Sequence, residues 1–271
     1  MTTNGLTPTT FEVSNGISGD ANKANPLKDG KDVVGPKITL YTNHRCPYAH
    51  RAHITLAELG IPFEEVIIDL DTPRPQWYLD INPRGLVPSI KYTVEGVYDE
   101  EIITESAIVA QFLADSFPSH LLPGLRDSPR APLTRARIAF FVDTWNTKVS
   151  SFWFGALLAE GEEKEKKVDE WVKAVEKEIE PLLSDAKPFF GGSEEFTFAE
   201  VHAAPFVVRW YSLAKYDDLL PPSLIKRLDA LPNFSKWARA IHEKESVNNI
   251  EWDSGPDAIR KKLASIKAAK K

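Results

Sequence analysis

One cysteine, Cys46, stands in 271 residues, so no internal disulfide can form and a reducing, intracellular compartment is expected. Long apolar runs are missing too. No stretch approaches the ~20 consecutive apolar residues of a membrane-spanning helix, and Met1 to Asn25 is polar, without the apolar centre of a secretory signal. The expectation is a cytoplasmic protein with no membrane partner. Positive charge is in deficit, 33 Lys and Arg against 39 Asp and Glu for a net charge of −6, which argues against a nucleic acid partner. There is no phosphate-binding glycine motif; Gly191-Gly192 reads as a loop. His50, His53, His120, His202 and His242 show no spacing with carboxylates or with Cys46 that suggests a metal, and none is expected. What remains is ordinary: 42% hydrophobic and 27% charged residues describe a globular chain of one or two domains.

The single thiol sits in an informative place. A strand-like run, Ile38 to Thr42, ends in a polar turn, after which Cys46 and Pro47 open a helical pattern that lasts to Gly60. A cysteine at a helix N-terminus faces unpaired backbone N–H groups and the positive end of the dipole, and both favour the thiolate. Proline at the first helical position gives up only an N–H that had no intrahelical partner. Cys46 is therefore a candidate nucleophile rather than a small buried hydrophobe. His44 and Arg45, within two residues of it, are candidate cations or hydrogen-bond donors for the thiolate, with a turn residue pointing to solvent the favoured reading for His44.

Residues 1–36 lack any hydrophobic period and read as a mobile arm. Residues 37–117 carry a strand at Ile38 to Thr42, a helix at Pro47 to Leu59, a second strand at Pro62 to Ile68, a third starting at Val87 to Ile90, a fourth at Val97 to Asp99, and a helix at Thr104 to Ser116. Between Asp71 and Tyr78, Pro73 and Pro75 forbid a long regular element. The result is a βαβ unit followed by a ββα unit, a thioredoxin-like α/β arrangement. Residues 118–132, with Pro118, Pro123, Pro129 and Pro132, form a linker. Beyond it the strand signals stop. Ile138, Phe141, Val142, Trp145, Val149 and Phe152 mark one face of a long helix, and Val168, Trp171, Val172, Val175, Ile179 and Leu182 mark another that Pro181 kinks or ends. Thr197 and Glu200 form a capping box, flanked by a Phe196–Val201 staple, for a helix from Phe198 to about Leu213. A last helix runs near Asn233 to Glu245. Residues 133–250 are thus an all-helical domain, and 251–271 form a basic tail that reads as a solvated helix end.

This order of parts resembles the glutathione transferase family over roughly residues 37 to 250. Leu86-Val87-Pro88-Ser89 is similar to the family's cis-proline turn, which implies that the Val87 backbone pairs with the cysteinyl part of glutathione. Thr104-Glu105-Ser106-Ala107 is similar to its Glu-Ser motif, implying Glu105 for the γ-glutamyl ammonium and Ser106 for the adjacent carboxylate. Cys46-Pro47-Tyr48-Ala49 resembles the active-site turn of the omega class, whose cysteine implies a mixed disulfide with glutathione, and thiol transfer and reduction over conjugation. Ala49 stands where a dithiol motif has its second cysteine, so an external thiol must resolve the intermediate. Arg74 occupies the place of an omega lysine that contacts glutathione. The resemblance also implies Arg209 and Tyr48 at a second-substrate pocket, glutathione as cosubstrate, no metal, and a homodimer. Two alternatives stand beside it: conjugation of glutathione to small electrophiles with Cys46 incidental, and a noncatalytic interaction module built on the same fold.

Overall fold

The computed structural model describes residues 35–253 and 255–269. The mobile arm expected at residues 1–36 therefore lies, except for Gly35 and Pro36, outside the described residues. The first unit comprises β1 (Lys37–Thr42), α1 (Pro47–Leu59), β2 (Glu64–Ile67), α2 (Gln76–Ile81), β3 (Ser89–Val94), β4 (Tyr98–Thr104) and α3 (Ser106–Ser116). Its strands run in the order β2-β1-β3-β4. β1 is parallel to β2 and antiparallel to β3, and β4 is antiparallel to β3. This is the thioredoxin-like arrangement expected from the alternation of strand and helix patterns.

α1 begins and ends where its residues dictate. Pro47 occupies its first turn, and Gly60 closes it at φ +63°, with Gly60 N–H donating to Ala57 O (3.1 Å) and Ile61 N–H to Leu56 O (3.0 Å). That pair of bonds satisfies carbonyls the helix leaves open. α2 fits between the prolines and Asn82 as a single short helix.

Several expected bounds shift: β2 is Glu64–Ile67 rather than Pro62 to Ile68, β3 starts at Ser89 rather than Val87, and the first helix of the helical region begins at Ala131, inside the expected linker. β4 extends past Asp99 to Thr104, because Glu101, Ile102 and Ile103 pair with β3 after an irregularity between Tyr92 and Val94. α3 starts at Ser106 rather than Thr104, since Glu105 turns the corner at φ 70°.

The helical region follows: α4 (Ala131–Thr144), α5 (Phe152–Leu158), α6 (Gly161–Ala174), α7 (Phe198–Leu213), α8 (Pro222–Leu228), α9 (Pro232–Glu243) and α10 (Gly255–Ala269). The first long helix expected from the apolar face is interrupted by a π-helical turn at Trp145–Val149, where Ser150 N–H donates to Trp145 O five residues back at 2.8 Å. A second π turn, Val175–Ile179, follows α6, and Pro181 then ends the run in a 3₁₀ turn. Apolar side chains on both sides of each turn stay buried, so the inserted residue preserves the face while altering the helix. α8 carried no expectation, and the tail is more than a solvated end. In α10, Leu263 is buried and Ile259 packs on the helical core.

That core is shared between the two units. Ile54 of α1 and Ala110 and Ala114 of α3 belong to the same apolar cluster as Trp145, Trp171, Phe206, Trp210 and Trp237. A second cluster, with Ile38, Leu40, Leu56, Ile90 and Leu113, fills the space between the sheet and α1/α3. α1 is thus packed on both sides, and its N-terminus is held at the junction. Among the described residues no helix is long and apolar enough to cross a membrane.

Candidate active site

The turn before α1 is built by Asn43. Its Oδ1 accepts from Arg45 N–H at 3.1 Å, its Nδ2 donates to Ile68 O at 2.9 Å, and its carbonyl accepts from Cys46 N–H at 3.0 Å. Asn favours such turns because its side chain can bond backbone two residues on. Cys46 then sits in extended conformation (φ −82°, ψ 117°) as the residue capping α1, with no side-chain cap bond, while its carbonyl accepts from His50 N–H. Its Sγ lies 3.9 Å from Val87 O, and the Val87–Pro88 bond is cis, in agreement with the family turn.

Electrostatics around the thiol oppose one another. Burial pushes the Cys46 thiol up from its ordinary value, and this outweighs the backbone N–H groups of Ala49 and Tyr48 and the positive charges of Arg209 and Arg51, all of which pull it down. The helix start alone does not make a ready thiolate here, because the same packing that positions the sulfur also removes water from it. The two sequence neighbours face away from the thiol. His44 turns to Glu65 (2.7 Å) and Arg45 to Asp71 (2.7 Å).

Arg51, four residues inside α1, is one of the two cations that do act. It is 3% exposed, donating Nε–H to His202 O (3.1 Å), Nη1–H to Ser106 Oγ (3.3 Å) and Nη2–H to Asn146 Oδ1 (2.8 Å). Its guanidinium also lies over the rings of Tyr48 and Phe206. Arg209 of α7 is the other, donating to Pro205 O (2.7 Å), His50 Nδ1 (3.0 Å) and His44 O (3.0 Å) beneath Trp252. Burial lowers each guanidinium to about 10. Even so, both stay charged at neutral pH. The resemblance implies Arg209 at a second-substrate pocket; the fold places it, 6% exposed, in the contact between α7 and the Cys46 turn. Arg51 was missed: it shares the buried side of α1 with His50 and His53, and nothing in its spacing sets it apart from them.

The remaining candidates sit at the start of α3, before β3, on α1 and before α2. Glu105 caps α3 at φ 70°, a conformation that costs a non-glycine residue roughly 1–3 kcal/mol, and its carboxylate meets Arg84 at 2.5 Å. Ser106 is the first residue of α3 and shares Arg51 with the Cys46 helix. Val87 lies just outside the β3 ladder, whose first pair is Ser89 with Tyr41. Tyr48 is 45% exposed with its ring edge on Phe206. Arg74 braces the loop around it, donating to Gly85 O (3.0 Å), Asp69 O (2.5 Å) and Thr72 O (2.6 Å). Gly85, at φ +63°, admits that approach, since a Cβ there would come within 3.0 Å of Arg74 Cγ.

Comparison with known proteins agrees with this geometry. Residues 45–116 match the family model described as "Glutathione S-transferase, N-terminal domain". Glutathione S-transferase omega-1 of Mus musculus is 24% identical over 242 residues, 88% of this chain and 91% of that protein. Glutathione S-transferase DHAR2 of Arabidopsis thaliana is 26% identical over 211 residues, covering 76% and 84% respectively. Among solved structures, glutathione transferase Omega 2C from Trametes versicolor superposes with a TM-score of 0.68 at 30% identity, over 84% of this chain and 98% of that one. With its thioredoxin-like unit, cis-proline turn and helical region, the chain belongs to the glutathione transferase family, as an omega-like enzyme.

Proposed function

We propose that Cys46 is the nucleophile of glutathione-dependent thiol transfer and reduction. The observation that carries the reading is the convergence at one sulfur of a helix N-terminus, the carbonyl before a cis-proline, and two buried guanidiniums. The Cys46 thiolate attacks the glutathione sulfur of a glutathionylated substrate; that S–S bond breaks, and the substrate thiol leaves with the electron pair and takes up a proton. A second glutathione, as thiolate, attacks the glutathione sulfur of the mixed disulfide, releasing oxidised glutathione and restoring Cys46. Ala49 supplies no internal thiol for that step.

In this reading the Val87 backbone pairs with the cysteinyl part of glutathione. Glu105 takes the γ-glutamyl ammonium in exchange for Arg84. Ser106 Oγ and the amides at the start of α3 take the γ-glutamyl carboxylate. Arg74 holds the loop that lies against glutathione, and Tyr48 faces the second substrate, with Arg209 behind the turn. Small disulfides and dehydroascorbate-like oxidants are the substrate classes, in a reducing, cytoplasmic setting that keeps a lone thiol free. Two copies associate through apolar side chains left exposed on α3 and α4, Ile108, Leu133 and Phe140.

Intact mass after incubation with oxidised glutathione tests the nucleophile. The expected result is one glutathione adduct on the native chain and none on Cys46→Ala, with disulfide reduction lost in step. A Cys46→Ala variant that kept full glutathione-dependent reduction would overturn the reading. Light scattering tests the dimer: Phe140→Glu is expected to shift the mass to that of a single chain.

A further inference from the structure

His44, His53 and Glu65 come from three elements, the turn before α1, the buried face of α1, and β2. Their spacing in the chain carries no metal signal. The fold brings one donor atom of each to within 4.8 Å of the others. His44 Nε2 lies 2.7 Å and His53 Nε2 3.3 Å from the same oxygen, Glu65 Oε1, and the two rings stand edge to face at 85° with centroids 5.2 Å apart. Two imidazoles presenting the same nitrogen to one carboxylate oxygen is the donor set of a three-residue site for a borderline cation.

The two separations to Glu65 support the match in size. Zinc–nitrogen and zinc–oxygen bonds of about 2.0–2.2 Å in a tetrahedron put neighbouring donor atoms roughly 3.3 Å apart. The His53–Glu65 separation is already 3.3 Å. His44 and Glu65, at 2.7 Å, must open by about half an ångström. Both side chains are 31% exposed and can move, whereas His53 is fixed at 1%. Charge supports it too. Among the described residues the ionic contacts of Glu65 are these two imidazoles, with no lysine or arginine among them.

We propose that His44, His53 and Glu65 bind one zinc-class divalent cation, with the fourth position open toward solvent on the exposed side of His44 and Glu65. Binding costs His53 its contact with Thr42 Oγ1 (2.9 Å) and moves its ring proton to Nδ1, which is buried without a protein partner. The affinity is therefore weaker than that of a structural zinc. A cation here also ties His44, whose carbonyl holds Arg209, to β2. The site thus sits on the turn that carries Cys46 without using its sulfur.

The test is equilibrium dialysis of the untagged, chelator-treated full chain against micromolar Zn²⁺, with metal read by mass spectrometry, and a parallel titration with Co²⁺ read by absorbance. One equivalent is expected. His44→Ala and Glu65→Gln, both at partly exposed positions, should each weaken binding at least about tenfold. Cys46→Ser should keep it, and Co²⁺ should give ligand-field bands without the near-ultraviolet charge-transfer band of a thiolate ligand. The proposal is overturned by no uptake at about 100-fold higher Zn²⁺, by undiminished binding in both ligand variants, or by loss of the metal in Cys46→Ser.

Discussion

Two helix starts in this molecule solve the same problem in opposite ways. At α7, Thr197 Oγ1 accepts from Ala199 N–H (3.2 Å) while Glu200, fully buried, accepts from Thr197 N–H, Phe190 N–H, Thr197 Oγ1–H and Trp237 Nε1–H at 2.6–2.9 Å. Every open group is answered by the protein itself. At α1, Cys46 occupies the same capping position and makes no side-chain cap bond. Its amides are directed at the sulfur instead. The filled start locks α7 against α9 and the Phe190 turn; the open one leaves hydrogen-bonding capacity for a thiolate. A helix N-terminus is therefore a structural joint or a chemical site depending on whether a side chain has already taken its N–H groups.

Emptying the filled start should cost the most. Glu200→Ala leaves the Trp237 N–H and two backbone N–H groups buried without a partner and is expected to lower stability by about 3–5 kcal/mol, read as a lower midpoint in urea unfolding. The Thr197→Ala change, which removes the cap but leaves the carboxylate, should cost about 1 kcal/mol. If both variants cost the same, the carboxylate is not the centre of that joint.

Both helices bring a further liability, buried imidazoles. His50 and His53 on α1 and His202 on α7 are all held below the ordinary histidine range by burial, His53 to about 3. Below about pH 6.5 the unfolded chain takes up these protons while the folded chain does not. Stability is therefore present above pH 6.5 and falls with falling pH, by up to about 1.4 kcal/mol per pH unit for each such histidine. Chemical unfolding at a series of pH values checks this, and His202→Phe should flatten the slope.

The smallest effect sharpens the open start itself. Alkylation of Cys46 as a function of pH should give a midpoint above 9.0, the ordinary thiol value, because burial dominates. Arg209→Gln removes a cation that pulls the thiol down, so its midpoint should move higher still, while Arg209→Lys should restore part of the difference. A midpoint unchanged in Arg209→Gln would mean that the guanidinium holds only the His44 carbonyl and does not act on the sulfur.

Much of this was legible before folding, and the reason is local. Pro47 and Gly60 bound α1, and Thr197 and Glu200 start α7, because caps and prolines act within one turn of chain. The end of β4 and the start of α3 were misjudged by a few residues, since the positive φ at Glu105 has no sequence mark. The π turns at Trp145 and Val175 were invisible for the opposite reason: apolar residues keep the same face while the backbone inserts one more. The basic tail read as solvent-facing, yet Lys262 reaches Asp71, Arg260 reaches Asp218 and Lys267 pairs with Glu160.

By itself the sequence determined the order of the parts, the helix that begins at Cys46, and the missing second thiol at Ala49. Those depend on neighbours along the chain. Tertiary structure alone decided which charges meet the sulfur. His44 and Arg45 are adjacent in sequence and turn away to Glu65 and Asp71, whereas Arg51 and Arg209 are drawn in from α1 and α7. It also decided the balance at the thiol: desolvation scales with everything packed around an atom, and most of that packing comes from residues far away in the chain.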